Sequence, residues 1–194
     1  MRGRTSAIGA LALALALVAC GGGAETPPTA TGATGGGGSP SAPATAERYE
    51  NAEHRFAFDR PDGWELADPP AGAVVALYPP GGALDAFAEN VNVVIEQLPM
   101  DLTATEYMDL AWAQLEPQLR DVEPIARDEL TVGGMPAASI EYRARFPETE
   151  TEMHLLQVAV LDGRTAFVIT YTGTDEFERY RPDAEAIIAS FART

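Results

Sequence analysis

Between Gly21 and Ala46 the chain carries no side chain large enough to nucleate a core. The stretch is Gly, Ala, Thr, Ser and Pro, with Glu25 as its one charge. Such a composition cannot offset the entropy lost on ordering, so it predicts a disordered linker. A coil of these 26 residues has an r.m.s. span of about 30 Å, from 5–6 Å times the square root of its length. Folding is therefore confined to residues 47–194, a length at which a single domain can bury a real core.

What precedes the linker explains why it is there. Arg2 and Arg4 form a short positive segment, and an uncharged run from Thr5 to Ala19 follows, rich in Leu and Ala. The run has the length of a secretory signal and is shorter than the ~20 apolar residues a spanning helix needs. It ends in Leu17-Val18-Ala19-Cys20, and Cys20 is the only cysteine in the chain. A lone thiol in an exported protein has no intramolecular disulfide to make. The four residues resemble the lipobox of bacterial lipoproteins. That resemblance implies cleavage before Cys20, acylation of Cys20, and attachment of the mature protein to a membrane through acyl chains. The expected organisation is a signal peptide over 1–19, a lipidated Cys20 with linker over 20–46, and one domain over 47–194. Gly21 stands where an aspartate would resemble an inner-membrane retention signal, so in a host with two membranes the expected location is the outer one.

Charge narrows the partners. Loss of residues 1–19 removes Arg2 and Arg4 and leaves 11 basic against 29 acidic residues, a formal charge of −18. Phosphate backbones need a cationic footprint, so nucleic acid is excluded as a partner. A polybasic grip on anionic lipid is excluded as well, which leaves the acyl chains as the membrane contact.

Along the domain, Phe56 and Phe58 mark a first half-buried strand, and Pro61-Asp62-Gly63 reads as a turn leading to a short strand at Trp64 and Leu66. "AVVALY" and "NVNVVIEQ" are further strands, the second with Val91, Val93 and Ile95 on one face. Thr103 and Glu106 have capping-box spacing. Tyr107, Met108, Ala111, Trp112, Leu115 and Leu119 then form a helical apolar stripe, which Pro117 should kink or end. Gly133-Gly134 links "VEPIARDELTV" to "MPAASIEYRARF" as a hairpin. The second of these strands sets Ala138, Ile140, Tyr142, Ala144 and Phe146 on one side. Ser139, Glu141, Arg143 and Arg145 lie on the other, which predicts one face in water. Asp162-Gly163-Arg164 joins two more strands. A closing helical segment follows, with Thr174 as its expected N-cap and a break expected at Arg181-Pro182.

The order of these elements resembles a known fold. Phe56-Ala57-Phe58 with Pro61 and Trp64, the strand "NVNVVIEQLP", the strand "GRTAFVITYTG" and the closing "FERYRPDAEAIIASF" are similar to the PsbP-like family. That family includes the extrinsic photosystem II protein and small secreted or lipid-anchored bacterial proteins of the DcrB and LpqN type. The resemblance covers about Glu53 to Phe191. It implies an α+β fold: a mostly antiparallel sheet of six to eight strands sandwiched by helices, an α/β/α sandwich. It carries no catalytic motif, and its photosynthetic members act as accessory proteins. The lipobox and linker stand here in place of the transit sequence and binding extension of those members.

Few residues offer chemistry. His54 and His154 are the only histidines, and Glu150, Glu152 and His154 share one face if the strand reaches back that far. A carboxylate–imidazole set can bind zinc or copper, which makes His154 and Glu152 the weak metal candidates. Glu148, Glu150 and Glu152 could attract Ca²⁺ but lack the dense oxygen loop of a calcium site. No nucleophile elbow, phosphate loop or cofactor motif is evident. The expected function is a non-enzymatic envelope lipoprotein, an accessory or assembly module that binds another envelope protein and uses no cofactor. The rivals are a small-ligand or metal-binding lipoprotein with His154 as ligand, and an enzyme of unrecognised type.

Overall fold

The computed structural model describes residues 46–81, 89–147 and 151–194. The leader, Cys20, all of the linker but Ala46, and Glu148 and Glu150 lie outside the described residues. Ten strands and two helices follow in order: β1 (Glu47–Asn51), β2 (Phe56–Arg60), β3 (Glu65–Ala67), β4 (Ala73–Tyr78), β5 (Asn90–Gln97), α1 (Ala104–Leu115), β6 (Arg120–Val132), β7 (Met135–Arg145), β8 (Glu152–Asp162), β9 (Thr165–Gly173), α2 (Phe177–Ser190) and β10 (Ala192–Arg193). Seven strands form one sheet in the order β3-β4-β5-β9-β8-β7-β6, and every pairing in it is antiparallel. β1, β2 and β10 form a second, three-stranded sheet. The mostly antiparallel α+β architecture is the one the resemblance implies.

The middle strands of the large sheet are buried on both faces, each face under its own helix. On one face, Tyr107, Met108, Ala111, Trp112 and Leu115 of α1 pack on Val94, Ala138, Ile140, Tyr142, Ala159 and Val168. On the other, Phe177, Tyr180, Ala184, Ile187 and Ile188 of α2 join Phe56 and Phe58 of β2 over Val91, Val93, Val158, Val160, Phe167 and Ile169. Alternate residues of β5, β8 and β9 therefore enter two different cores. The small sheet belongs to the α2 layer, and Trp64 is fixed there by its indole N–H donating to Asp183 of α2 at 3.0 Å.

The helix ends follow local chemistry with one exception. Thr103 caps α1 through the reciprocal bonds expected of it. Its hydroxyl accepts from the Glu106 N–H, and the Glu106 carboxylate accepts from the Thr103 N–H. α1 stops at Leu115, and Pro117 sits in a 3₁₀ turn over Glu116–Gln118. At α2, however, the expected break is absent: the helix runs unbroken through Pro182 from Phe177 to Ser190. Proline there forfeits one bond to the carbonyl four residues back, at Glu178, in the exposed second turn. Apolar contacts before and after it, from Phe177 and Tyr180 to Ile187 and Ile188, hold both halves on the sheet. Thr174 is not the N-cap either. Glu176 occupies that position without a side-chain bond, because the Thr174 hydroxyl donates to Glu89 instead.

The hairpin glycines separate two effects that usually travel together. Gly133 and Gly163 have almost the same left-handed backbone, φ +57° and +59°. A Cβ on Gly163 would meet nothing within 4 Å, whereas one on Gly133 would lie 2.5 Å from the Phe191 carbonyl oxygen. Gly163→Ala is expected to cost about 1–2 kcal/mol from backbone strain alone. Gly133→Ala should cost at least ~1 kcal/mol more, because the β6–β7 turn must move off the chain end that feeds β10. Urea denaturation of the two variants measures the difference, and equal losses would show that the Phe191 contact is not rigid.

Candidate functional site

The expectation of a wet face on β7 fails at Glu141, which is only 8% exposed. Glu141 lies beneath α2, in the layer of side chains that includes His154 and Phe177. His154 of β8 is likewise buried, at 6% exposure. Its Nε2 lies 2.7 Å from Glu141 Oε1. Arg181 of α2 closes the set: its guanidinium bonds both oxygens of Glu141 and also reaches Glu178 and Glu185 on its own helix. Glu141, His154 and Arg181 thus join two strands and a helix through charge-assisted bonds.

Phe177 completes the arrangement. Its ring stacks on the His154 imidazole with centroids 3.6 Å apart and planes 17° apart. Tyr171 stacks against it at 4.5 Å and donates its hydroxyl to the Phe177 carbonyl at 2.8 Å. Gly173, opposite His154 in the β8–β9 register, leaves the space: a Cβ there would lie 3.0 Å from the Phe177 ring. Beside Gly173, the buried Glu89 accepts from both the N–H and the hydroxyl of Thr174, pinning the turn into α2.

These groups set one another's charge. Burial pushes the Glu141 carboxyl up, but the bonds and charges of Arg181 and His154 together outweigh it and hold the group below the usual carboxylate range. Burial pushes the His154 imidazole down; Glu141 opposes this, while Arg143 and Arg181 add to it, and the net direction is down. An ionised Glu141 assigns the proton of the neutral ring to Nε2, which donates. Nδ1 then carries the lone pair.

A groove of about 620 Å³ opens beside this network, lined among others by Arg143, Glu152, His154, Asp175, Phe177 and Glu178. Glu152 and His154 do share a face of β8, two residues apart, as the sequence suggests, but they play different parts. Glu152 is exposed at the rim, and His154 is committed to Glu141. Among the described residues no three His, Cys, Asp or Glu side chains converge as metal ligands. His54 lies in the turn between β1 and β2, with its backbone N–H held by Asn51. The residues that sequence reasoning missed are Glu141, Arg181 and Phe177. The one available signal was Arg181 before a proline, a residue whose helical conformation needs outside support.

A two-faced antiparallel sheet with one helix on each side is the PsbP-like fold. Within that class the chain belongs to the DcrB family, which it matches over residues 78–190. No curated protein sequence matches it. Solved structures share the fold, among them the following three. Cyanobacterial PsbP (CyanoP) from Synechocystis is 18% identical, with a TM-score of 0.57 over 82% of this chain and 98% of its own. LpqN of Mycobacterium tuberculosis, a protein involved in cell envelope biogenesis, is 14% identical, with a TM-score of 0.59 over 77% and 85%. The Ran-binding protein Mog1p of Saccharomyces cerevisiae is 12% identical, with a TM-score of 0.52 over 77% and 96%.

The network makes the fold acid-sensitive. Because the folded chain depresses the His154 pKa, an unfolded chain takes up a proton first, and stability begins to fall as pH drops through about 6.5. The Glu141 contribution is complete above its unfolded value of about 4.3 and is lost as pH falls further through its folded one. His154→Gln should therefore flatten the decline between pH 7 and 5 and leave the steeper loss below it. Urea midpoints measured against pH test this; a variant that still loses stability at the wild-type rate from pH 7 to 5 would disprove the assignment to His154.

Proposed function

We propose that this chain is a lipid-anchored accessory protein of the bacterial envelope, non-enzymatic, whose DcrB-family domain binds another envelope protein. The observation that carries the reading is the position of Cys20. The only thiol in the chain ends an apolar run too short to span a membrane and begins a core-less linker of about 30 Å reach. The domain starts where that linker ends. An involvement in envelope biogenesis for LpqN, and Ran binding by Mog1p, are consistent with a scaffold that works by association. The groove fits the same role. It offers carboxylates and a ring face, and the histidine at its wall is engaged by a carboxylate and an aromatic ring rather than by a hydroxyl.

Anchoring follows from chain arithmetic. Each buried methylene contributes ~0.8 kcal/mol, one acyl chain holds only marginally, and stable attachment takes two or more. A Cys20 bearing two or three chains meets that requirement, whereas a mature chain of charge −18 adds nothing at an anionic surface. Cys20→Ser should leave the thermal transition of the domain unchanged and move the protein from the membrane fraction to the soluble fraction. Retention of the variant on membranes washed in high salt would sink the lipoprotein reading.

A further inference from the structure

We infer that the groove beside His154 takes a lysine or arginine side chain from a partner protein, held by Glu152, Asp175 and the free ring nitrogen of His154. The inference rests on the reading of the domain as a binding module and is independent of the lipid anchor.

Three unused acceptors line the groove. Glu152 and Asp175 line it as exposed carboxylates, and neither makes a hydrogen bond or ion pair with a described residue. Glu178, by contrast, is already paired with Arg181. The third acceptor is Nδ1 of His154. The ring is nine-tenths buried, Nε2 is bound to Glu141, and Nδ1 has no bond to any described residue. A neutral imidazole fixed through Nε2–H presents only a lone pair at Nδ1. The matching group is therefore a donor, and with two carboxylates beside it, a cationic donor. Met153 and Phe177 line the same groove and offer apolar contact to the methylenes of such a side chain. The single basic side chain among the described groove residues, Arg143, has Glu123 on β6 as its ion-pair partner, at 3.9 Å.

The source is a protein rather than a free amine. The site is an open groove on a domain of strong negative charge, and such a field draws in a basic macromolecular surface from a distance.

The probe is an acetylated, amidated Gly-Lys-Gly-Lys-Gly peptide titrated into the detergent-solubilised full chain at low salt. Binding is expected, and Glu152→Gln with Asp175→Asn should weaken it about tenfold, the combined worth of two exposed ion pairs. Asp68→Asn with Asp101→Asn removes the same charge elsewhere and should change it little. Equal weakening by the two pairs, or no binding, would overturn the inference, as would free ethylamine binding as tightly as the peptide.

A pH arm isolates His154, which faces Glu141 and Arg143 from β7, Arg181 and Glu178 from α2, Asp175 from the turn before α2, and Glu152 from its own strand. In the Glu152→Gln/Asp175→Asn chain, residual binding should hold from pH 8 to about 6.5 and fall below it as Nδ1 gains a proton, and a profile that stays flat down to the acid limit of the fold would remove His154 from the site. A photoreactive benzoylphenylalanine at Glu176 in cells separates the two levels of the reading. A protein adduct without lysine-peptide binding would overturn the groove chemistry and keep the binding module. Peptide binding without any protein adduct would overturn the module and the protein source together.

Discussion

The middle of the seven-stranded sheet is covered on both faces, and that constraint governs what is placed there. A charged side chain buried at that level cannot turn to water, so it must find a partner or lie near an opening. Glu141 does both: it is bonded by His154 and Arg181 and sits next to the groove. Removing one member would leave the others buried and unpaired, a loss of up to ~3–5 kcal/mol for a fully buried pair. Here the loss is smaller, because Arg181 remains a quarter exposed and keeps Glu178 and Glu185. The network therefore does more to fix where α2 begins than to raise overall stability. Without it, Phe177 would have no reason to lie flat on an imidazole, and Arg181 would have little to hold its helical backbone ahead of Pro182.

Local signals were legible in the sequence because their partners are close in the chain. The Thr103–Glu106 box spans three residues, and Gly133-Gly134 and Gly163 mark turns whose strands follow at once. The alternation of β7 was also read correctly as geometry: Ala138, Ile140, Tyr142, Ala144 and Phe146 do face one way. What alternation cannot say is what covers the polar side. Glu141 and Arg181 are separated by 40 residues, and only the return of α2 over β7 brings them together. The same distance problem hid β10, which returns to β2 from the far end of the domain as a two-residue strand too short to leave a periodic trace. β1 pairs with the neighbouring β2, and it was hidden because ERYEN is short and mostly polar.

The candidate site shows the limit more sharply. His154 stood out because histidine is rare in this chain, and its relation to Glu152 was visible as an i, i+2 spacing on one strand. That spacing placed both at one groove, yet it suggested the wrong division of labour. The nearest carboxylate in sequence is exposed and unpaired, while the carboxylate that binds the imidazole comes from the neighbouring strand. Cross-strand partners depend on register, and register is set by turns and by the hydrophobic pattern of both strands, not by either one alone.

The α1 face carries a second polar row that clarifies the first. Asn92 is opposite Thr170 on β9, and Thr170 is opposite Gln157 on β8. The Gln157 amide donates to Thr170, and the Tyr142 hydroxyl reaches Gln157, both at 3.3 Å. Neutral groups suffice there, and each satisfies a neighbour on the same face of the sheet. On the α2 face the corresponding groups are ionic, and they engage the helix as well as the strands. A neutral row can be sealed beneath a packed layer at little cost, because every donor has an acceptor beside it. An ionic set with one ring nitrogen left over is a poor way to stabilise a core. It is a good way to hold an acceptor at a fixed place beside an open groove, which the neutral row on the α1 face does not do.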